Sequence, residues 1–258
     1  YLLSFSAGPT ALINALASGW KVIGRMKSIH TQFYTRPVTK KLRDPVTVNK
    51  LVKRVVTTKI LRRPLKPPKI REELRGSTNN LPANVEFGYE PKPGEMARLL
   101  PRLDTKGKIV LIRDEKYFRW RYRNPLSGYF FLYWQDSELR GYLVAQTPLF
   151  MPGSMSNFNV LELEGESPEI KIELMKALLS LLDFRSATVW SGMLDENVRR
   201  YLMASGFKEK SPAKSVAEFN ETVLISTTDK DNDRIEFRGL NLLDVNNWDF
   251  KMTYSDFY

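Results

Sequence analysis

One stretch constrains the fold of this chain more than any other, the run IVLIRDEKYFRWRYRNPLSGYFFLYWQDSELRGYLVAQ from Ile109 to Gln146. Its second half predicts a β-hairpin. Tyr129 to Trp134 is aromatic, Gly141 to Gln146 is apolar, and the polar tetrapeptide Gln135-Asp136-Ser137-Glu138 joins them, so two β-prone segments flank a turn. Just upstream, Lys116 to Tyr122 reads as a short amphipathic helix with Asp114 as its N-cap and with Tyr117, Trp120 and Arg121 on one face. Pro125 ends it, because the residue before a proline avoids the helical region.

The rest of the chain supplies partners for that hairpin. Upstream, Pro93 to Leu103 predicts a helix with Met96, Leu99 and Leu100 inward. Downstream, Asn159 to Glu164 alternates as a strand, with Val160, Glu162 and Glu164 on one face and Leu161 and Leu163 on the other. A helix from Glu169 to Leu182 follows, with Ile172, Met175, Leu178, Leu179 and Leu182 as its core stripe. Ala187 to Trp190 is the next strand, Glu196 to Ser205 a helix, and Glu221 to Thr227 a closing strand of the same sheet. The aromatics of Leu240 to Tyr258 predict that this tail docks back on the fold. A hairpin followed by alternating strands and helices argues a mixed α/β sheet, largely antiparallel and covered by helices on both faces.

Composition removes whole classes of chemistry. With no cysteine and His30 as the only histidine, the chain has no thiol nucleophile, no disulfide and no Cys/His zinc site, and no metal ligands are assigned. Neither a phosphate-binding P-loop nor a dinucleotide fingerprint occurs. His30 itself is expected at the surface or at a strand end. No apolar run approaches the length of a membrane span, and together with the lack of cysteine this points to a cytoplasmic protein.

The net charge of +11 is concentrated: Arg36 to Arg75 holds fourteen Lys and Arg against three acids, and the remainder of the chain balances. Within it, Val48, Leu51, Val52, Val55, Val56 and Ile60 recur at helical spacing, as in a basic amphipathic helix that ends at a proline-stiffened connector. Two readings follow. The segment is an interdomain helix with solvated charges, or it contacts an anionic polymer or membrane surface. Stacking aromatics are missing from it, so no specific nucleic-acid site is assigned.

An internal repeat bears on organisation. Ala-Ser-Gly-aromatic-Lys occurs at Ala17 to Lys21 and again at Ala204 to Lys208, each time after a helix and before a strand. Glycine in each copy sits where a helix ends in the left-handed conformation. The helix ending in WRY, the tyrosine-led hairpin and the GYLVAQ strand resemble the GNAT acyltransferase superfamily. More closely, RDxxYxxWRYxxP from Arg113 to Pro125 is similar to bacterial tandem-GNAT proteins at the start of their second half. The resemblance implies that residues 1–36 are the tail of a first GNAT-like half, truncated at its N-terminus. Residues 37–84 are then a basic linker, and 85–258 a second, nearly complete half.

The same resemblance implies a site. Acetyl-CoA or another acyl-CoA would lie where the fourth and fifth strands splay apart, held by Leu161 and Leu163 of the fourth strand and by Gly165 and Ser167 at the next helix's N-terminus. Glu162 or Glu164 would be the general base for an attacking amine; the bland alternative is a solvent-facing or salt-bridged glutamate. The family's acid, a tyrosine four residues before the Gly-Phe pair, falls on Leu202, which leaves neighbouring Tyr201 as the candidate or as a packing residue. Trp120, Arg121, Tyr122 and Tyr129 are candidates for lining the acceptor side, with core packing as the competing role. The family's basic, glycine-rich phosphate loop is replaced here by EGESPEIK, whose Glu166 and Glu169 are expected to cancel the helix dipole and weaken cofactor binding in this half.

The function these expectations define is CoA-dependent acyl transfer to an amine acceptor such as an amino sugar or an amino acid. Two alternatives stand beside it: a GNAT-fold half without cofactor that serves as a structural or ligand-binding partner, and aminoacyl transfer of the cell-wall type, with the basic segment holding tRNA.

Overall fold

The computed structural model describes residues 1–5, 9–32, 81–105, 107–123, 127–148, 157–181, 186–209, 222–227 and 235–254. The basic segment 36–75 lies outside them, so neither reading of it is addressed. In chain order the elements begin with β1 (Leu2–Phe5), α1 (Pro9–Ala17), β2 (Lys21–Arg25) and β3 (Ser28–Gln32). They continue with β4 (Val85–Gly88), α2 (Pro93–Leu99), α3 (Glu115–Arg121), β5 (Ser127–Gln135), β6 (Leu139–Pro148), β7 (Asn157–Gly165) and α4 (Pro168–Leu181). The last are β8 (Ser186–Trp190), α5 (Glu196–Ala204), β9 (Lys208–Glu209), β10 (Thr222–Ser226), β11 (Glu236–Phe237) and β12 (Leu240–Asn241). No helix among the described residues is long and apolar enough to cross a membrane.

The expected mixed, largely antiparallel sheet is present, with seven strands in the order β4-β5-β6-β7-β8-β3-β9. All its pairings are antiparallel except β7 with β8. The hairpin forms where its sequence places it. Asp136 Oδ1 accepts from the backbone N–H groups of Ser137 at 2.5 Å and Glu138 at 3.4 Å, which fixes the turn and so the register that opposes Tyr133 to Tyr142 and Phe131 to Val144. At α3, Asp114 caps as expected, accepting from Tyr117 N–H at 2.7 Å.

Glycine is required where the hairpin meets α4. Gly141 opposes Gly165 across β6 and β7, and a Cβ on Gly141 would stand 2.4 Å from Ile170 Cγ2 and 3.0 Å from the Glu164 carbonyl. Only a bare backbone lets the first turn of α4 seat Ile170 there. Gly141→Ala is therefore expected to lower stability by about 1–3 kcal/mol, the usual cost of overpacking, in a urea titration. A variant as stable as the parent would show that Ile170 has room to move.

Several expectations need correction. The closing strand β10 does not join the large sheet. It is inserted between β1 and β2 in a separate three-stranded sheet, where Leu224 and Leu12 of α1 bury one another. Likewise β3, from the first 32 residues, enters the large sheet between β8 and β9, so His30 sits mid-strand and half-buried instead of at a strand end. In β7 a bulge skips Leu161: Glu162 opposes Val144 while Val160 opposes Ala145, and these consecutive residues of β6 point to opposite faces. Val160 is thus not on the face of Glu162 and Glu164. The buried stripe of α4 is Ile170, Leu174, Met175, Ala177 and Leu178, with Ile172 and Leu179 half-buried and Leu182 outside the described residues. The α2 helix stops at Leu99 and tightens into a 3₁₀ turn over Leu100–Arg102 at Pro101.

The tail does dock, as far as residue 254. Trp248 and Phe250 stack with ring centroids 4.9 Å apart, Phe250 meets Phe5 edge-on at 5.1 Å, and Trp248 bridges to Ile109. Burial of two such aromatic side chains stabilises by roughly 3–6 kcal/mol before ordering costs, enough to hold a short segment against the sheet.

Candidate functional site

Alternation along β7 places Glu162 and Glu164 together on the sheet face that also carries Tyr142, and both are almost fully buried. A bare carboxylate cannot remain there, so each must be matched. Arg113, in the extended segment before α3, does this with both terminal nitrogens: Nη1 donates to Glu162 Oε2 at 2.6 Å and Nη2 to Glu164 Oε1 at 2.7 Å. Lys251 of the docked tail reaches Glu164 Oε1 at 3.0 Å and Asp249 Oδ1 at 2.9 Å. The hydroxyls of Tyr122 and Tyr142 donate to the two oxygens of Glu162 at 2.6 and 2.7 Å. Three carboxylates, one guanidinium and one ammonium thus form a single ion-paired cluster, with Asp249 at its half-buried edge.

The electrostatic consequences follow from burial. Burial pushes the Glu164 carboxyl up, but Lys251 and Arg113 outweigh it and hold the group well down, to about 2. Burial pulls Lys251 down, and Glu164 and Asp249 more than reverse this, leaving it raised. Tyr122 and Tyr142 are pushed far up, first by burial and then by Glu162, so their protons stay in place. A carboxylate held in this way keeps its charge and gains little from taking a proton. The arrangement suits holding and orienting; of the two roles weighed for these glutamates, the salt-bridged one describes what they do in this conformation.

Next to the cluster a cavity of about 580 Å³ opens. Pairing between the parallel strands β7 and β8 runs only from Asn157↔Ser186 to Val160↔Val189, five residues short of the end of β7. Glu164 and Gly165 from β7 line the resulting gap on one side and Gly192, Leu194 and Asp195 on the other, with Val110, Ile112 and Lys108 from the segment before α3. Lys171 enters from the first turns of α4, 3.4 Å from Asp195.

The loop before α4 differs electrostatically from the expectation drawn from its acids. Glu166 is gripped by Arg102 at 2.9 Å and Arg140 at 2.7 Å, bonds that hold its carboxyl below the usual range, so its charge is offset locally. Glu169 is exposed, and Ser167 Oγ, the α4 cap, accepts from Ile170 N–H at 3.4 Å. The repulsion expected from two acids is therefore reduced, because Arg102 and Arg140 approach from sequence positions far from the loop.

The other candidates are dispersed. Leu161 and Leu163 are core residues without exposure, and Gly165 and Glu164 line the cavity. Trp120, a candidate for lining the acceptor side or for packing in the core, is 67% exposed, because the inward face of α3 is Phe118, Arg121 and Tyr122. Arg121 Nε donates to the Thr253 carbonyl at 2.7 Å, tying α3 to the tail instead of facing the cavity. Tyr129 is buried edge-on against Tyr122 at 5.2 Å. Tyr201 packs on the α4–α5 side beneath the Lys176 ammonium, 5.5 Å from its ring centre, and does not line the cavity. Arg113, Tyr142 and Lys251 were missed as site residues. The first two lay inside quoted motifs, but nothing local to Lys251 marks it.

Compared with known proteins, the chain matches no family model and no curated sequence.

Proposed function

We propose that the chain is a GNAT-like acyltransferase polypeptide, in which the gap between β7 and β8 receives an acyl-CoA and an amine such as an amino sugar or an amino acid accepts the acyl group. The observation that carries this reading is the early end of the parallel pairing of β7 with β8, the only parallel one in the large sheet among the described residues, with a cavity at that point and the N-terminus of α4 beside it. A helix start and an adjacent lysine suit the phosphates of such a cofactor. The two Ala-Ser-Gly turns add support for a tandem arrangement. Gly19 and Gly206 have φ of +86° and +94°, and the bonds Ser18→Asn14, Gly19→Leu16 and Trp20→Ala15 recur as Ser205→Tyr201, Gly206→Met203 and Phe207→Leu202.

One observation favours the second reading, a half that shares the fold and binds a ligand without performing acyl transfer. Glu162 and Glu164, the residues a base would come from, are both ion-paired to Arg113. Calorimetric titration of acetyl-CoA into the full chain separates the two. The acyltransferase reading expects micromolar affinity, about −8 kcal/mol, weakened at least roughly tenfold by Lys171→Glu. No heat, or binding indifferent to Lys171→Glu, would sink the cofactor site and leave the ligand-binding half.

A further inference from the structure

The lining of the cavity beside β7 is of two kinds. Leu100 and Leu103, at the two ends of the 3₁₀ turn after α2, and Val110 and Ile112, in the extended segment before α3, bring aliphatic side chains to it. The elements around the gap bring charge instead, with Glu164, Lys171, Asp195 and Asp249. Ile112 is 89% exposed, the most open large hydrophobic residue among those described, and Val110 is 40% exposed. Two residues apart on an extended chain, they point to the same side.

Scattered apolar side chains on a surface are ordinary, but several that converge on one concave place mark a site that something apolar covers. The shape narrows what that is. At about 580 Å³ the cavity has the size of a small-molecule site, and a flat protein face would not reach into it. A wholly apolar molecule would strip water from Glu164 and Asp249 with no return, and a wholly polar one would leave Val110 and Ile112 wet. The occupant is therefore an amphiphile. Its polar end is anionic, because the Lys108 ammonium in the lining makes no ion pair among the described residues and Lys171 stands at the start of α4.

At ~3.3 Å per residue the segment from Lys108 to Ile112 spans roughly 13 Å, the reach of an acyl chain of about eight carbons with its thioester, whereas an acetyl group would leave most of that length uncovered. We propose that the acyl group this cavity holds is a medium-length chain, seated on Leu100, Leu103, Val110 and Ile112. The inference rests on the acyl-CoA reading and sharpens it.

Acetyl-, hexanoyl-, octanoyl-, decanoyl- and dodecanoyl-CoA are titrated calorimetrically into the full chain. A methylene taken fully out of water is worth roughly fourfold in affinity, and one covered on a single side about half of that in free energy, so octanoyl-CoA is expected to bind at least ~10-fold more tightly than acetyl-CoA. The gain should stop at decanoyl, where the wall ends. Ile112→Ser, at a position already open to water, should leave the melting temperature unchanged and erase most of the gain. Equal affinity for acetyl- and octanoyl-CoA overturns the inference and leaves the acyl-CoA reading standing, while no binding by any thioester overturns both. Affinity that climbs unchecked to dodecanoyl-CoA, or a gain that survives Ile112→Ser, places the chain on some other apolar surface, and the inference is wrong. It is equally wrong if the free protein sediments as a dimer that Ile112→Ser splits, because a second copy then covers the wall.

Discussion

Arg113→Met is expected to destabilise the protein by about 3–5 kcal/mol, because removing one partner of a buried ion pair leaves the other charge uncompensated. Here one guanidinium serves two carboxylates, Glu162 and Glu164, that are almost inaccessible to water. Lys251 still neutralises Glu164 in the variant, whereas Glu162 keeps only the hydroxyls of Tyr122 and Tyr142. The loss should therefore fall mainly on Glu162, and adding Glu162→Gln to Arg113→Met should recover part of it. For a chain of this size the single change corresponds to a fall in Tm of roughly 10 °C. Urea unfolding of the three proteins measures both effects. A loss under about 1 kcal/mol for Arg113→Met, within the range of ordinary surface changes, would mean that water or another cation reaches the cluster.

The same cluster predicts the acid limb of the stability curve. The folded-state carboxyl of Glu164 is depressed to about 2 by Lys251 and Arg113, against an ordinary value of 4.5. A depressed group binds its proton more readily when unfolded. The stability it contributes is complete above pH ~4.5 and is lost as pH falls from there towards ~2, an amount on the order of 3 kcal/mol. Glu164→Gln removes this titration, so the stability of the variant should change less with pH in that window, although the variant is less stable at neutral pH. Parallel curves for the two proteins between pH 4.5 and 2 would show that Glu164 does not carry the dependence.

Much of the large sheet was legible because its strands announce themselves locally. Tyr129 to Trp134 and Gly141 to Gln146 are dense in β-prone side chains around a turn whose aspartate bonds its own backbone, and Asp114 and Asp195 cap the helices that follow them. Pairing partners were less legible. Glu221 to Thr227 has the composition of a buried strand, and nothing in that composition says which edge it will meet; β1 and β2 claimed it. Trp120 misled because a seven-residue helix has little periodicity to fix its inward face, and Phe118 and Tyr122 took the interior. At the site, two glutamates separated by one residue were visible on a strand. Their cations were not, since Arg113 and Lys251 come from irregular segments about fifty residues before the glutamates and eighty-seven after Glu164.

The crossed strand order has a consequence for how the protein is made. Leu2 pairs with Ser226, and Ile29 pairs with both Val189 and Glu209, so these pairings form only after a long stretch of later chain has been made. At typical translation rates of ~5–20 residues per second, β1 and β3 wait on the order of ten seconds or more for these partners. Apolar residues such as Leu2, Leu3 and Phe5 are then available to neighbouring nascent chains, and both sheets close only late in synthesis. Expression yield should therefore depend on chaperone capacity and temperature more steeply than the finished protein's own stability does.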